Sequence, residues 1–531
     1  MEEDHGRSGA ARAPAGAPGA SAAGEAIGAA RPTAMLLAAL GATLALLLAH
    51  AWLYRFLTDD AFISFRYSVN LAHGHGLVFN PGWEPVEGYS NFLWVLLLAG
   101  LDVLGMRPET ISVPLSFLCT LALGAIVAHF AWRQSSSREP LWIMVVPGLL
   151  LAVTRSVAVW SSSGLETRFF ELLIVAGALR MVAEVESHER AAPRMPLAPS
   201  AFALATLTRP DGLLLSLSAF GAAGLYLASR SPRALPRFVA GLAPFALLVG
   251  AHYAFRHAYY GDWLPNTYYA KVDGQTWWSS GFAYLSAFAI EYAVPLWLPF
   301  LAAGVVACAR RGRAFVPLLF AALVVPHALY VASIGGDHFE YRPVDLYFPF
   351  AFLLMGSGAG WLAMGGASAP APHHVESPAT NRARSLAVAA GLLIVVVGLW
   401  DLPWQSHRQF PDHYITGFPG VPIQHDAEAQ AFLDPARDPI YCTPPLRPLA
   451  ESFRARLRDL TANFVGVRQE EHRLFLETVS PEGRRIHELI DQGVLPRDVY
   501  IAMGSVGAIP YYSGARVLDR VGLTDAHGAH S

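Results

Sequence analysis

The sequence predicts a polytopic α-helical membrane protein that ends in a small soluble α/β domain. Three observations carry this. Hydrophobic residues fill 53% of the 531 positions, charged residues only 15%, and the charge collects toward the C-terminal end. Ordinary soluble domains are roughly 25% charged, and mean hydropathy here is +0.35. Asp, Glu, Lys and Arg account for 29 of the 127 residues after Trp404 but only 50 of the 404 up to it. The chain thus divides into an Ala-, Gly- and Pro-rich stretch over 1–32, read as a disordered cytoplasmic leader, a membrane body over 33–404 and a soluble extracytoplasmic domain over 405–531. A net charge of −3 leaves no basic footprint for nucleic acid. Cys119, Cys308 and Cys442 cannot build a disulfide framework and match no zinc spacing.

A bilayer core about 30 Å thick needs roughly 20 apolar residues per helix. Eleven spans are expected, over 34–54, 111–131, 141–154, 168–184, 197–208, 211–228, 236–256, 283–307, 315–333, 346–364 and 385–403. The run 92–104 is short, is interrupted by Asp102, and is expected to be a re-entrant or interfacial helix. Leaving it uncrossed places Arg133, Arg138, Arg180, Arg190, Arg194, Arg230, Arg233, Arg237, Arg310, Arg311, Arg313, Arg382 and Arg384 on the side of the N-terminus, as the excess of Lys and Arg in cytoplasmic loops requires. The N-terminus is then cytoplasmic and the tail lies outside. Ala49-His50-Ala51 resembles a cleavage site, but the apolar run before it is long, and an uncleaved first helix fits better. In the tail, helices over 449–462 and 466–492 and an apolar run over 499–503 give a small α/β domain.

With that topology the carboxylate-bearing loops fall on one face. Asp59-Asp60 follow the first span. Ser163-Gly164-Leu165-Glu166-Thr167, Thr208-Arg209-Pro210-Asp211-Gly212, Tyr259 to Lys271 and Gly335 to Arg342 lie on the same side. Carboxylates at the mouth of a helical bundle are expensive and ordinarily face a wet cavity. Low dielectric and like charge would push one carboxyl of the Asp59-Asp60 pair upward, which suits a general base for a hydroxyl. Thr58 or Asp59 also suits the N-cap of a helix over 61–71, so each aspartate can hold one job. Lys271 is the only lysine among 38 basic residues, and an ammonium suits a phosphate oxygen. Arg342, Arg209 and Arg66 add cations; with Tyr67, Tyr268 and Tyr269 they suit a sugar linked to a phosphate. His73 and His75 are too weak a pattern for a metal, and His129 and Glu291 receive no role. A transporter or lipid flippase is the alternative; it would place polar groups at mid-bilayer within repeated halves.

An Asp-Asp pair after the first helix, polar loops on one face and a soluble tail resemble the GT-C glycosyltransferases. More narrowly, Asp59 to Tyr67, Gly74 to Pro81, Glu87 to Trp94, Leu264 to Lys271, Gly335-Gly336-Asp337, Gly507 to Gly514 and Val521 to Asp525 resemble the actinobacterial terminal β-1,2-arabinofuranosyltransferases. The resemblance implies an inverting transfer from a polyprenyl-phosphate sugar to an envelope glycan acceptor, in the bacterial inner membrane. It implies one of Asp59 and Asp60 as base, with Lys271, Arg342, His75 and Arg66 on the carrier phosphate. Glu166, Arg209, Asp211, Tyr268, Tyr269 and Asp337 would shape the sugar or acceptor pocket. No cofactor and no metal ligands are expected, a divalent cation remaining open as a substitute at the phosphate.

Overall fold

A computed structural model describes residues 34–134, 144–189, 194–271, 274–366, 377–409 and 442–525; the leader and most of 405–441 lie outside the described residues. The helices run α1 (Ala34–Leu53), α2 (Asp59–Ala72), α3 (Phe92–Val103), α4 (Pro108–Gln134), α5 (Val146–Val153), α6 (Arg155–Val159), α7 (Thr167–Glu189), α8 (Ala198–Thr208) and α9 (Asp211–Arg230). They continue as α10 (Leu235–Gly241), α11 (Ala243–Tyr260), α12 (Asn266–Lys271), α13 (Trp278–Glu291), α14 (Leu298–Arg310), α15 (Phe315–Ser333), α16 (Tyr347–Ala363) and α17 (Pro378–Gln409). The tail holds α18 (Arg447–Ala462), α19 (Gln469–Asp491), β1 (Tyr500–Met503), α20 (Ala508–Ser513) and β2 (Arg516–Asp519).

Among the described residues, six helices are long and apolar enough to cross a membrane, and a seventh span arises if α13 and α14 count as one. The protein is a polytopic membrane protein. The expected eleven spans are not all present as continuous helices, and the reasons are local. The 283–307 run bends by 61° where Ala293 takes a φ of +50° and Pro295 supplies no N–H. The described part of the 141–154 run forms the eight-residue α5, which stops where Thr154 turns extended. Twelve residues of α3 reach about 18 Å at 1.5 Å each, short of a bilayer core. The chain reverses after α3 at Gly105, whose φ is +84°.

The body core is built from α7 packed on α8, α9 on α15, and α14 on α16. Small residues set the closest approaches: a Cβ on Gly281, Gly304 or Gly358 would strike the backbone of the facing helix. The tail lies across the loops at one end of this bundle. On α18, Ala450, Phe453, Leu457 and Leu460 are buried in the body core, and the helix packs on α13. Phe475 and Val479 of α19 join Phe62, Trp160 and Phe339 in a second core. β1 and β2 pair in parallel, Tyr500 opposite Arg516, with α20 as their crossover.

Buried ion pairs lock tail to body. Arg155 Nη1 donates to Glu340 at 2.9 Å and its Nη2 to Glu470 at 3.1 Å. Arg468 pairs with Glu340 at 2.9 Å and with Glu291 at 2.8 Å. Glu291, which had no role in the sequence reading, is thus fully buried and bonded to the tail. Burial alone would lower Arg468; Glu291 and Glu340 overturn that and hold it protonated.

Candidate active site

Helix α2 begins directly after the 54–58 turn, where Thr58 N–H donates to Ser163 O at 3.1 Å. Thr58 holds the N-cap position but makes no side-chain cap bond. Successive residues on a helix point about 100° apart, so Asp59 and Asp60 face different neighbours. Asp59 is buried, and its Oδ1 accepts the Ala508 N–H of α20 at 2.7 Å. It caps a tail helix, not its own. Gly507 has no side chain because a Cβ there would collide with Asp59. Burial pushes the Asp59 carboxyl up to about 7, opposed by the Ala508 N–H, with the charge of Asp60 a lesser contribution.

Arg66 sits two turns along the same face. Its Nε donates to Phe79 O at 2.7 Å, Nη2 to Ala515 O at 2.9 Å and to Asn80 Oδ1 at 3.3 Å, and Nη1 to Pro510 O. These carbonyls engage all three of its nitrogens, so the structure places Arg66 in the tail junction and not at an open phosphate site. Burial lowers it to about 10.

Asp60 is half-buried and has no hydrogen bond or ion pair among the described residues. One turn on, about 6 Å along the axis, Ser64 Oγ donates to Asn91 Oδ1 at 3.0 Å, and Asn91 Nδ2 to Glu166 Oε2 at 2.8 Å. Glu166 faces Arg209 at 3.6 Å. Arg209 makes a two-pronged contact to Asp211 at 3.0 and 2.9 Å, and Asp211 meets His327 Nε2 at 3.2 Å. His327 Nδ1 lies 2.8 Å from the Tyr347 hydroxyl. Burial alone would lower Arg209, but Asp211 and Glu166 more than reverse it, so it stays charged. Arg342 Nε donates to Asp337 at 3.2 Å. Both guanidiniums line a small cleft with Thr167, Phe170 and Leu346.

The structure therefore joins Glu166, Arg209 and Asp211 in one chain of contacts and sets Arg342 and Asp337 beside it. Tyr330 lies within electrostatic reach of Arg209, Asp211, Asp337 and Tyr268, which brings Tyr268 to the same neighbourhood. Tyr268 and Tyr269 meet edge to face at 5.6 Å. Asn266, at the start of their helix, donates to Gly522 O at 2.7 Å, and its own N–H to Glu87 O at 3.1 Å. Lys271 ends α12; its side chain lies outside the described residues. His75 is exposed on the turn after α2. Among the described residues, no three His, Cys, Asp or Glu side chains group as metal ligands. Ser64, Asn91, His327 and Tyr347 are additions that the sequence reading missed. His327, an ionisable side chain inside an apolar span, carried the only clear signal.

Against solved structures, ArnT from Cupriavidus metallidurans in the apo state superposes with a TM-score of 0.53 at 14% identity, covering 91% of this chain and 85% of that one. The fold is that of ArnT. The same protein bound to undecaprenyl phosphate superposes with a TM-score of 0.48 at 14% identity, over 92% of this chain and 86% of that one. Among curated proteins, the terminal β-(1→2)-arabinofuranosyltransferase of Corynebacterium glutamicum is 29% identical over 340 residues, 57% of this chain and 48% of the relative. That of Mycobacterium tuberculosis is 31% identical over 260 residues, 47% of this chain and 40% of the relative. The chain thus matches less than half the length of either relative. Residues 469–531 match a family model described as a domain of unknown function, DUF8728.

Proposed function

We propose that the protein is an inverting membrane glycosyltransferase. In this reading it moves a sugar, arabinofuranose by analogy with the named relatives, from a polyprenyl-phosphate carrier to an envelope glycan. The observation that carries the reading is Asp60: a carboxylate without a partner among the described residues, one helical turn from the Ser64–Asn91–Glu166–Arg209–Asp211 chain. The named activity of the relatives and the ArnT fold support it.

Asp60 takes the proton of an acceptor hydroxyl as that oxygen bonds to the anomeric carbon. The bond from that carbon to the carrier phosphate oxygen breaks on the opposite side, and the electron pair leaves with the phosphate. A positioned base of this kind contributes roughly 10²–10⁴-fold. Arg342, with Lys271 near the same loops, steadies the departing charge, and electrostatic stabilisation at a preorganised site is the larger contribution. Glu166, Arg209 and Asp211 hold the sugar hydroxyls, their mutual pairs fixing each group before substrate arrives. The reaction as proposed needs no cofactor, with guanidinium and ammonium groups serving where a divalent cation otherwise would. The site would lie on the outer face of a bacterial inner membrane, with a cytoplasmic N-terminus and the tail over the site.

Purified protein in liposomes, given defined polyprenyl-phosphate sugars and an arabinan acceptor, should release carrier phosphate in step with product, with or without a chelator. Absence of release with every lipid-linked donor would remove the proposal, and loss of activity on chelation would replace the cations with a metal.

A further inference from the structure

A second cavity, of about 550 Å³, lies against the opposite face of α2 from Asp60. Arg66, Val69 and Asn70 of α2 with His73 just past its end form one wall, Asp102 at the end of α3 with Arg107 and Glu109 at the start of α4 the second, and Tyr511 and Tyr512 of α20 the third. Four features decide what it would hold. The charges nearly balance: Arg66 and Arg107 stand against Asp102 and Glu109, which does not favour a phosphate or another anion. Arg107 is exposed and has no partner among the described residues. Among the described residues the Asp102 carboxylate meets only His73, at 3.9 Å. Tyr511, whose hydroxyl donates to Glu109, and Tyr512, beneath the Arg484 guanidinium at 4.5 Å, supply aromatic faces held in place. Paired carboxylate and guanidinium groups beside aromatic rings are the chemistry that binds a neutral polyhydroxyl chain: charged groups make the strong hydrogen bonds and ring faces cover the C–H faces of the sugar.

From Asp60 the wall formed by residues 66–73 lies about 9 to 20 Å farther along the α2 axis. A single sugar bound there does not reach Asp60, so only a longer acceptor could occupy the cavity and present a hydroxyl to Asp60 at once. We infer that this cavity is an accessory acceptor subsite that grips the glycan some residues away from the hydroxyl being glycosylated. It is complete only when α20 is docked, since α20 supplies its third wall; this gives the Gly507–Gly514 stretch a purpose beyond packing. The inference rests on the transferase reading proposed above.

The test uses the full-length protein in detergent and two variants in the second wall, Arg107→Ala on the exposed turn and Asp102→Asn at the end of α3. Binding of long and short arabino-oligosaccharides is read by titration calorimetry, alongside transfer rates to both. Loss of one charged hydrogen bond should weaken binding of the long oligosaccharide about tenfold. The KM for the long acceptor should rise by a similar factor at unchanged kcat, with the short acceptor unaffected, and inorganic phosphate should not compete. Equal loss for both acceptor lengths, wild-type affinity in both variants, or competition by phosphate would overturn the subsite. If wild-type protein binds the long oligosaccharide through Arg107 and Asp102 yet transfers from no lipid-linked donor, the subsite stands and the transferase reading fails. If transfer occurs but neither variant changes its length dependence, the reverse holds.

Discussion

On one face of α2, Asp59, Arg66 and Asn70 are buried with polar partners: an N–H of α20 on Asp59, carbonyls of the tail and the Phe79 turn on Arg66, and the Val78 and Phe79 carbonyls on Asn70. About 100° around the same helix, Asp60 is half-buried and has no partner among the described residues, and Ser64 below it starts the chain of contacts that ends at Tyr347. Two adjacent aspartates therefore differ in their surroundings because a helix cannot point both the same way. A carboxylate that already holds a backbone N–H and is closed off from solvent anchors; in the proposed reading its half-buried neighbour serves as the base.

That contrast can be attacked at four points. The largest effect is expected at the anchor. Arg468→Ala leaves Glu291 buried without its guanidinium and takes one of the two from Glu340, which should cost about 3–5 kcal/mol. Thermal unfolding in detergent and protease release of the tail would both show it; unchanged melting would mean that apolar packing alone holds the tail. On the open face, Arg209→Lys keeps the charge but loses the two-pronged contact to Asp211. Transfer should fall about a hundredfold with little change in melting temperature. His327→Phe removes the contacts to Asp211 and to the Tyr347 hydroxyl, and about a tenfold loss of kcat is expected, measured beside wild-type protein at equal membrane content.

The last effect is a change of slope rather than of level. Asp59 is raised from 3.8 to about 7 by burial, so the folded protein holds that proton over a range where the unfolded chain has lost it. Between about pH 4 and pH 7 stability should therefore fall as pH rises. In Asp59→Asn this part of the dependence should vanish. A wild-type slope in the variant would show that Asp59 is not the group responsible.

The long apolar elements were legible in the sequence. The spans expected over 34–54 and 315–333 appear as Ala34–Leu53 and Phe315–Ser333, and the tail helix expected over 466–492 appears as Gln469–Asp491. A run of twenty apolar residues has one stable outcome in lipid, so composition alone locates it. The broken elements were less legible, because Ala293 and Thr154 interrupt apolar runs through backbone angles that hydropathy does not register. In the site, Glu166, Arg209 and Asp211 could be proposed as a group from their loops, and they do touch. Asp59 and Arg66 could not be separated from Asp60 in that way. Their partners, Ala508 and Pro510, lie more than 440 positions away, and no local pattern announces a contact between groups so distant in the chain.

The most direct measurement compares Asp60→Asn with Asp59→Asn in the same liposomes, reading initial rates of sugar transfer from a polyprenyl-phosphate donor. The account predicts a fall of about 10²–10⁴-fold for Asp60→Asn, with the tail still docked, and a rate within about tenfold of wild type for Asp59→Asn, whose amide oxygen still accepts the Ala508 N–H. The opposite ranking, or equal losses in both, would contradict the division of labour on α2.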